Sequence, residues 1–351
     1  MKTGVLLLNF GEPENPVPEE VIPFLERIFS LNAPLMGGQA TPEQVQARSR
    51  KLAEDRAPGL IAEYEEIGGS PLHQQAREQA EGLEAELRHR GHDAVVLLGM
   101  QFTEPSIAQA VEHARAAGVE QLVAVPVYPL CGPSTTVAAL TTLDQQITQQ
   151  KWEVSVRQVT GWHRHPAYIQ LRADAIREVL RENGLTLGGR TKLVFSAHGT
   201  PIKYLEEGSR YDIYVRDFCA RVAEEVGATE YTIGYQNHTN RPGVQWTQPD
   251  VDRVIAEIDA DNVVVDPVSF MHEQSETLAE LDHELREEAE ERGLGFYRVG
   301  IPHAIPEFMR VLADLVEGSL QGTREIAGVP FRQCLCKPTA GTCCLNAAMH
   351  R

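Results

Sequence analysis

Short apolar runs rich in valine, leucine and isoleucine punctuate the chain at residues 5–10, 94–98, 122–127, 192–197, 231–234 and 263–268. Runs of this length without polar interruption predict strands buried on both faces, as in parallel sheets. Between them, residues 74–90, 107–117, 168–181 and 277–292 carry apolar side chains at helical spacing. Strands alternating with amphipathic helices predict an α/β fold with doubly wound sheets.

The pattern also repeats. Thr103-Glu104-Pro105 opens a helix that leads to a strand and then Pro126-Val127; Thr247-Gln248-Pro249 opens another that leads to a strand and then Pro267-Val268. Likewise, Leu8-Asn9-Phe10-Gly11-Glu12-Pro13 and Ala197-His198-Gly199-Thr200-Pro201 both pass from a strand into a Gly-x-Pro turn. The halves look duplicated, which predicts two similar α/β domains across a cleft, at 1–150 and 151–325, followed by a Cys-rich extension at 326–351. The paired segments are spaced unequally, so the first half should hold an insertion. It is placed at 32–70, helical in its middle and bounded by Pro34, Gly37, Gly38 and Gly68-Gly69-Ser70-Pro71. Ligands in such folds sit at the carboxyl ends of strands.

Composition narrows the picture by exclusion. At 42% hydrophobic and 23% charged the chain reads as globular, and 351 residues suffice for two cores. A net charge of −18 disfavours nucleic acid and anionic lipid surfaces as partners. The apolar run at 5–8 is too short for a signal peptide, and no stretch approaches the roughly 20 apolar residues of a membrane span. A cytoplasmic location is expected, with peripheral membrane contact left open. Thiols stay reduced there, so the six cysteines are not expected to form a disulfide framework.

Four segments offer chemistry. His198 ends the strand at 192–197, where an imidazole serves either catalysis or packing. Glu273, Glu276 and Glu280 recur at helical spacing, which would align them on one face; acids also suit the first turn of any helix. Gln236 and Trp246 flank a polar loop with His238 and Arg241-Pro242-Gly243, and could line a flat aromatic ligand or belong to the core. The Gly68-Gly69 turn after Tyr64 has neither a following lysine nor dinucleotide-fingerprint spacing, so no nucleotide is expected.

Taken in order, the Leu-Leu-Asn-Phe-Gly-Glu-Pro run ending at Pro13, Tyr64 through Gly-Gly-Ser-Pro-Leu, Ser196 to Pro201, Gln236 with Trp246 and Pro249, and residues 270–278 resemble ferrochelatases, over roughly residues 4–316. The resemblance implies two Rossmann-like domains holding a porphyrin between them, no nucleotide, and Fe2+ as substrate. The ring would be protoporphyrin IX or coproporphyrin III, and the protein a monomer or homodimer. It implies His198 as pyrrole-proton acceptor and metal contact, and Glu276 in metal delivery or proton export. Tyr64, Ser70, Gln236, Trp246 and Phe270 would bind the porphyrin. The residue types suit these tasks: imidazole exchanges protons near neutral pH, and carboxylate is a hard ligand for a divalent cation. Departures are Gln274, where many relatives carry histidine, Ser275 in place of a branched apolar residue, and Phe10, which offers no metal ligand. His272, two residues before Gln274, is a candidate substitute. A chelatase for another metal or tetrapyrrole, or a porphyrin-binding protein without catalysis, would share most of these features.

Four of the six cysteines crowd into Cys334-Leu335-Cys336-Lys337-Pro338-Thr339-Ala340-Gly341-Thr342-Cys343-Cys344. Such spacing suits zinc or an iron–sulfur cluster, or is an incidental tail. Some ferrochelatases carry a [2Fe-2S] cluster on one internal and three C-terminal cysteines. That resemblance implies Cys131, Cys334, Cys336 and Cys343 as ligands, with Cys344 as the alternative to Cys343. Cys219, within a helical stretch, is expected in the core.

Overall fold

The computed structural model describes residues 1–33, 40–237 and 244–349. His238, Arg241, Pro242 and Gly243 of the polar loop, and Pro34, Gly37 and Gly38 at the edge of the expected insertion, lie outside the described residues.

The first half runs β1 (Thr3–Asn9), α1 (Pro18–Asn32), α2 (Pro42–Glu66), α3 (Leu72–His89), β2 (Ala94–Met100), α4 (Ile107–Ala116), β3 (Gln121–Pro126), α5 (Ala138–Gln149), β4 (Ser155–Val159) and α6 (Pro166–Glu182). The second runs β5 (Thr191–His198), α7 (Ile202–Glu206), α8 (Tyr211–Val226), β6 (Tyr231–Gln236), α9 (Val251–Glu257), β7 (Asn262–Pro267), α10 (Ser275–Leu278), α11 (Arg286–Glu291), β8 (Gly295–Arg298) and α12 (Pro306–Gln321). A small hairpin, β9 (Glu325–Ile326) with β10 (Val329–Pro330), leads to β11 (Thr342–Cys343).

Both halves build parallel sheets in the same order. The first is β2-β1-β3-β4, extended by β11 beside β4; the second is β6-β5-β7-β8. The duplication thus extends to topology, and further to detail. The two Thr-x-Pro turns both contain cis prolines, Pro105 and Pro249, and a π-helical turn follows the third strand of each half, at Pro133–Val137 and Glu280–Leu285.

Alternation along the central strands explains why they read as apolar on both faces. Leu6 and Leu8 pack under α4 and α5, and Val194 with Val263 and Val265 under α9 and α11. Val5, Leu7, Leu193 and Phe195 turn the other way, into one core shared by both halves and filled by α6, α8 and α12. Helices therefore cover both faces of each sheet. α2, within the expected insertion, pairs with α1 just ahead of it through Val21, Phe24, Leu25, Ala57 and Leu60, and the pair reaches Phe102.

Three expectations are corrected. β4 and β8 were not foreseen, because Ser-Val-Arg-Gln-Val and Gly-Phe-Tyr-Arg are short and partly polar, as strands away from a sheet centre are. The division at 150/151 falls ahead of β4, which completes the first sheet, and α12 returns to pack on α3. The helix expected over 277–292 is broken into α10, the π-helical turn and α11.

Candidate active site and cysteine cluster

His198 is the last residue of β5, paired with Gln236 at the end of β6. Its backbone is held on both sides. The N–H donates to Ser269 Oγ (2.9 Å), and Tyr211 Oη donates to its carbonyl (3.1 Å). The following residue is glycine because β6 approaches closely: a Cβ on Gly199 would meet Asn237 Oδ1 at 1.7 Å. The imidazole, 32% exposed, stands edge-on to Phe270 with ring centres 6.1 Å apart.

Nδ1 of His198 lies 3.1 Å from Glu276 Oε1. Gln274 caps α10 and turns its amide nitrogen onto the other oxygen of Glu276. Gln236 accepts from Ser196 Oγ (2.9 Å) and donates to both the Glu276 carbonyl (2.8 Å) and Glu280 Oε2 (2.9 Å). Glu276 and Glu280 thus lean on one buried amide. Glu273 does not join them. It precedes α10 and pairs with Arg298 at 2.9 Å. His272 is no substitute for the missing histidine either, since its Nε2 faces Gln79 Oε1 (2.9 Å) in the buried seam and burial pushes its pKa down to about 3.

Burial tends to lower the His198 pKa, but the negative field of Glu276 and Glu280 outweighs it and the net shift is upward. Glu280 is driven up to about 8 by burial and by Glu276. A third acid, Glu12, faces Glu276 from the turn after β1; burial raises it, against hydrogen bonds from Ser275 and Ser70. Two carboxyl groups beside the imidazole, with a third behind Glu276, make a site suited to a cation and to proton exchange.

The remaining sequence candidates converge on this place by different routes. Ser70 donates to Glu12 Oε2 (2.5 Å). Tyr64 is buried in α2, its ring in the cluster with Phe24 and Phe102, and its ionisation is suppressed by burial and by Glu12. Trp246 bridges to Pro201, three residues past His198. Phe10 is packed against Phe102, ring centres 4.6 Å apart. On the far side of Phe102 opens a cavity of about 830 Å3 between α1, the start of α2 and α5, lined also by Arg27, Leu31, Val45 and Gln101. None of the sequence candidates lines it. Glu12, Ser269, Tyr211 and Ser275 were missed by sequence reading; a lone acid after a strand-end glycine was the one signal for Glu12.

A second constellation lies away from the imidazole. Cys131, in the loop after β3, meets Cys334 and Cys336 with all three sulfurs within 4.8 Å of one another. Cys344 hydrogen-bonds Cys334 from the other end of the tail. The Cys334 pKa is pulled down by hydrogen bonds from Cys131, Cys336 and Cys344. Neither Cys343, the residue expected from sequence, nor Cys344 is among the three clustered sulfurs of Cys131, Cys334 and Cys336; Cys343 is on β11, and of the two it is Cys344 that hydrogen-bonds Cys334. Cys131, Cys334 and Cys336, with Cys344 hydrogen-bonded to Cys334, offer soft donors of the kind that suit a soft metal or an iron–sulfur cluster. Cys219 is core.

Two parallel four-stranded sheets of identical order, with a histidine and acids gathered at their carboxyl ends, define a two-half chelatase architecture. Comparison bears this out: SirB from Bacillus subtilis, solved with Fe3+, superposes with TM-score 0.54 at 12% identity, covering 93% of this chain and all of that one. CbiX, described as the terminal enzyme of sirohaem biosynthesis in denitrifying bacteria, gives TM-score 0.50 at 14% identity over 90% of this chain and 98% of that one. At these identities the likeness concerns the fold. The family is shown by sequence: residues 2–320 match the Ferrochelatase family. The ferrochelatase of Synechococcus elongatus is 35% identical over 92% of this chain and 84% of that one, and that of Synechococcus sp. strain JA-2-3B'a(2-13) is 36% identical over 91% and 93%. The chain belongs to the ferrochelatase family, lyases of haem synthesis that insert a metal into a porphyrin. Among the described residues no helix is long and apolar enough to cross a membrane.

Proposed function

We propose that this chain inserts Fe2+ into protoporphyrin IX or coproporphyrin III, with His198 as the pyrrole-proton acceptor. The observation that carries the reading is the His198–Glu276 pair, 3.1 Å apart at the end of β5. Metallation must remove two pyrrole protons. With Nδ1 committed to Glu276, Nε2 is the nitrogen that receives one, and the carboxylate stabilises the imidazolium that forms. Glu276 also offers an oxygen to the arriving cation, and Glu280 beside it holds or passes a proton near neutral pH because its pKa is about 8. Phe270 and Trp246 supply apolar wall, and Ser70, Tyr64 and Gln236 support the acids from behind. Binding at the ring periphery can offset distortion of ~1–5 kcal/mol at the reacting centre.

Cys131, Cys334, Cys336 and Cys344 would hold a [2Fe-2S] cluster, which when bound ties the C-terminal tail to the body and supplies one-electron chemistry. Lys337, on the loop between Cys336 and Cys343, is anchored to Asp144 at 2.6 Å.

Continuous absorbance with Fe2+ and porphyrin tests the assignment. His198→Ala should slow insertion by about 10²–10⁴-fold, the range expected for loss of a general base, with porphyrin binding retained. Binding without insertion by the unaltered protein would instead make it a porphyrin carrier.

A further inference from the structure

Glu12 reaches the site from the first half, bonded to Ser70 and Ser275. It follows Gly11, whose φ of +82° turns the chain after β1 and whose missing side chain makes room for Thr103 Oγ1. The turn delivers Glu12 into the seam between the halves, where it is 3% exposed. There Oε2 accepts from Ser70 Oγ (2.5 Å) and the Ser275 N–H (3.3 Å), while Oε1 accepts from Ser275 Oγ (2.6 Å). Ser70 lies in the loop before α3, and Ser275 is the first residue of α10, one position ahead of Glu276.

We infer that Glu12 is a positioning residue for metal insertion: from the opposite half, it anchors the start of α10 and thereby sets the reach of Glu276 to His198. The inference rests on Glu276 acting in the reaction.

Two physical reasons support it. α10 has only four residues before the π-helical turn, too few to fix their own end, and its first N–H groups lack intrahelical acceptors. Gln274 satisfies part of that end from within; Glu12 supplies an acceptor from outside. Secondly, a carboxyl group buried this deeply is costly unless its oxygens are bonded. Here both oxygens are bonded, and two of the three donors belong to Ser275. Glu12 and Ser275 therefore form one unit spanning the seam. Tyr64, His73 and Glu276 are the other titratable groups facing that unit, and the Tyr64 hydroxyl lies against both Glu12 and Ser275.

The test uses the full-length protein and separates geometry from folding. Glu12→Ala should lower kcat by about tenfold to a hundredfold, the scale of a small misplacement of a reacting group. Porphyrin affinity, read by fluorescence quenching, should stay within about twofold, because Glu12 is 3% exposed and its oxygens are taken up by Ser70 and Ser275. Ser275→Ala should reproduce the loss, and the double variant should be no worse than either single one. Glu12→Gln retains an acceptor and should recover part of kcat. Wild-type kcat in Glu12→Ala, additive losses in the double variant, or porphyrin affinity falling in step with kcat would each overturn the inference. If Glu12→Ala does not fold, Glu12→Gln and Ser275→Ala decide it by the same comparison. Glu276→Gln, run in parallel, guards the premise: unimpaired insertion there refutes the role of Glu276 itself, whatever the Glu12 variants do.

Discussion

At the scale of single residues, charge in a confined space controls this site. His198 gains a proton more readily than an ordinary imidazole, since Glu276 and Glu280 outweigh its burial. As a proton acceptor it must be neutral, so kcat/KM should fall as pH drops through a value above 6.5, and a pH–rate profile locates that limb. For stability the sign is the usual one for a raised group. The contribution of the His198–Glu276 contact is complete below the ordinary histidine pKa and lost as pH rises through the raised one. Glu280 obeys the same rule further up the scale. Its folded pKa is about 8 against an ordinary 4.5, so the folded chain holds a proton that the unfolded chain releases. Glu280→Gln, uncharged throughout, should raise Tm over wild type above about pH 8 and give no gain below pH 4.5. Calorimetry across that range checks it. Of these residues, His198 and Glu276 were legible because each ends or follows a strand run; Glu12 was not, since its partner Ser275 is 263 positions away.

At the scale of elements, two features do what periodicity does not describe. The π-helical turn at Glu280–Leu285 interrupts what reads as one amphipathic helix, and brings Glu280 to the amide of Gln236 while Glu273 is left outside. Such turns disturb the regular helical hydrogen bonding and are found disproportionately at functional sites. The second feature is β11, which adds a strand to the first sheet beside β4 and so fixes the register of the tail. In an extended chain neighbouring side chains face opposite ways, so only one of two adjacent cysteines can reach the thiol group. Replacement of Cys131, Cys334, Cys336 or Cys344 by serine should abolish bound iron and acid-labile sulfide, whereas Cys343→Ser should retain both. Metal analysis with visible absorbance distinguishes the two outcomes. Retention in Cys344→Ser with loss in Cys343→Ser would reverse the ligand assignment.

At the scale of the whole molecule, the duplicated halves are not independent bodies. Val5 and Leu7 of the first sheet and Leu193 and Phe195 of the second feed one core. α12 closes it: Phe308 packs against Trp162 and Tyr168, and Asp314 and Glu317 hold Arg90 of the first half at 2.7 Å each. Phe308→Ala should cost about 3–5 kcal/mol, the range for emptying a large buried aromatic site, and denaturant titration should show it in a single shared transition. Two separated transitions would mean that the shared core does not couple the halves. The same coupling lets Glu12 of the first half be held against Ser275 of the second across the seam.

The sequence by itself determined the strands β1, β2, β3, β5, β6 and β7, the doubled α/β plan and the place of His198, because burial on two faces leaves uninterrupted apolar runs and amphipathic helices leave a period of 3.6. Tertiary structure alone decided which acids meet, which of two neighbouring cysteines faces the cluster, and that α12 serves the half it does not follow. Those are contacts between residues tens to hundreds of positions apart, made by how two sheets and their helices share a core, and no local pattern of apolar and polar positions encodes them.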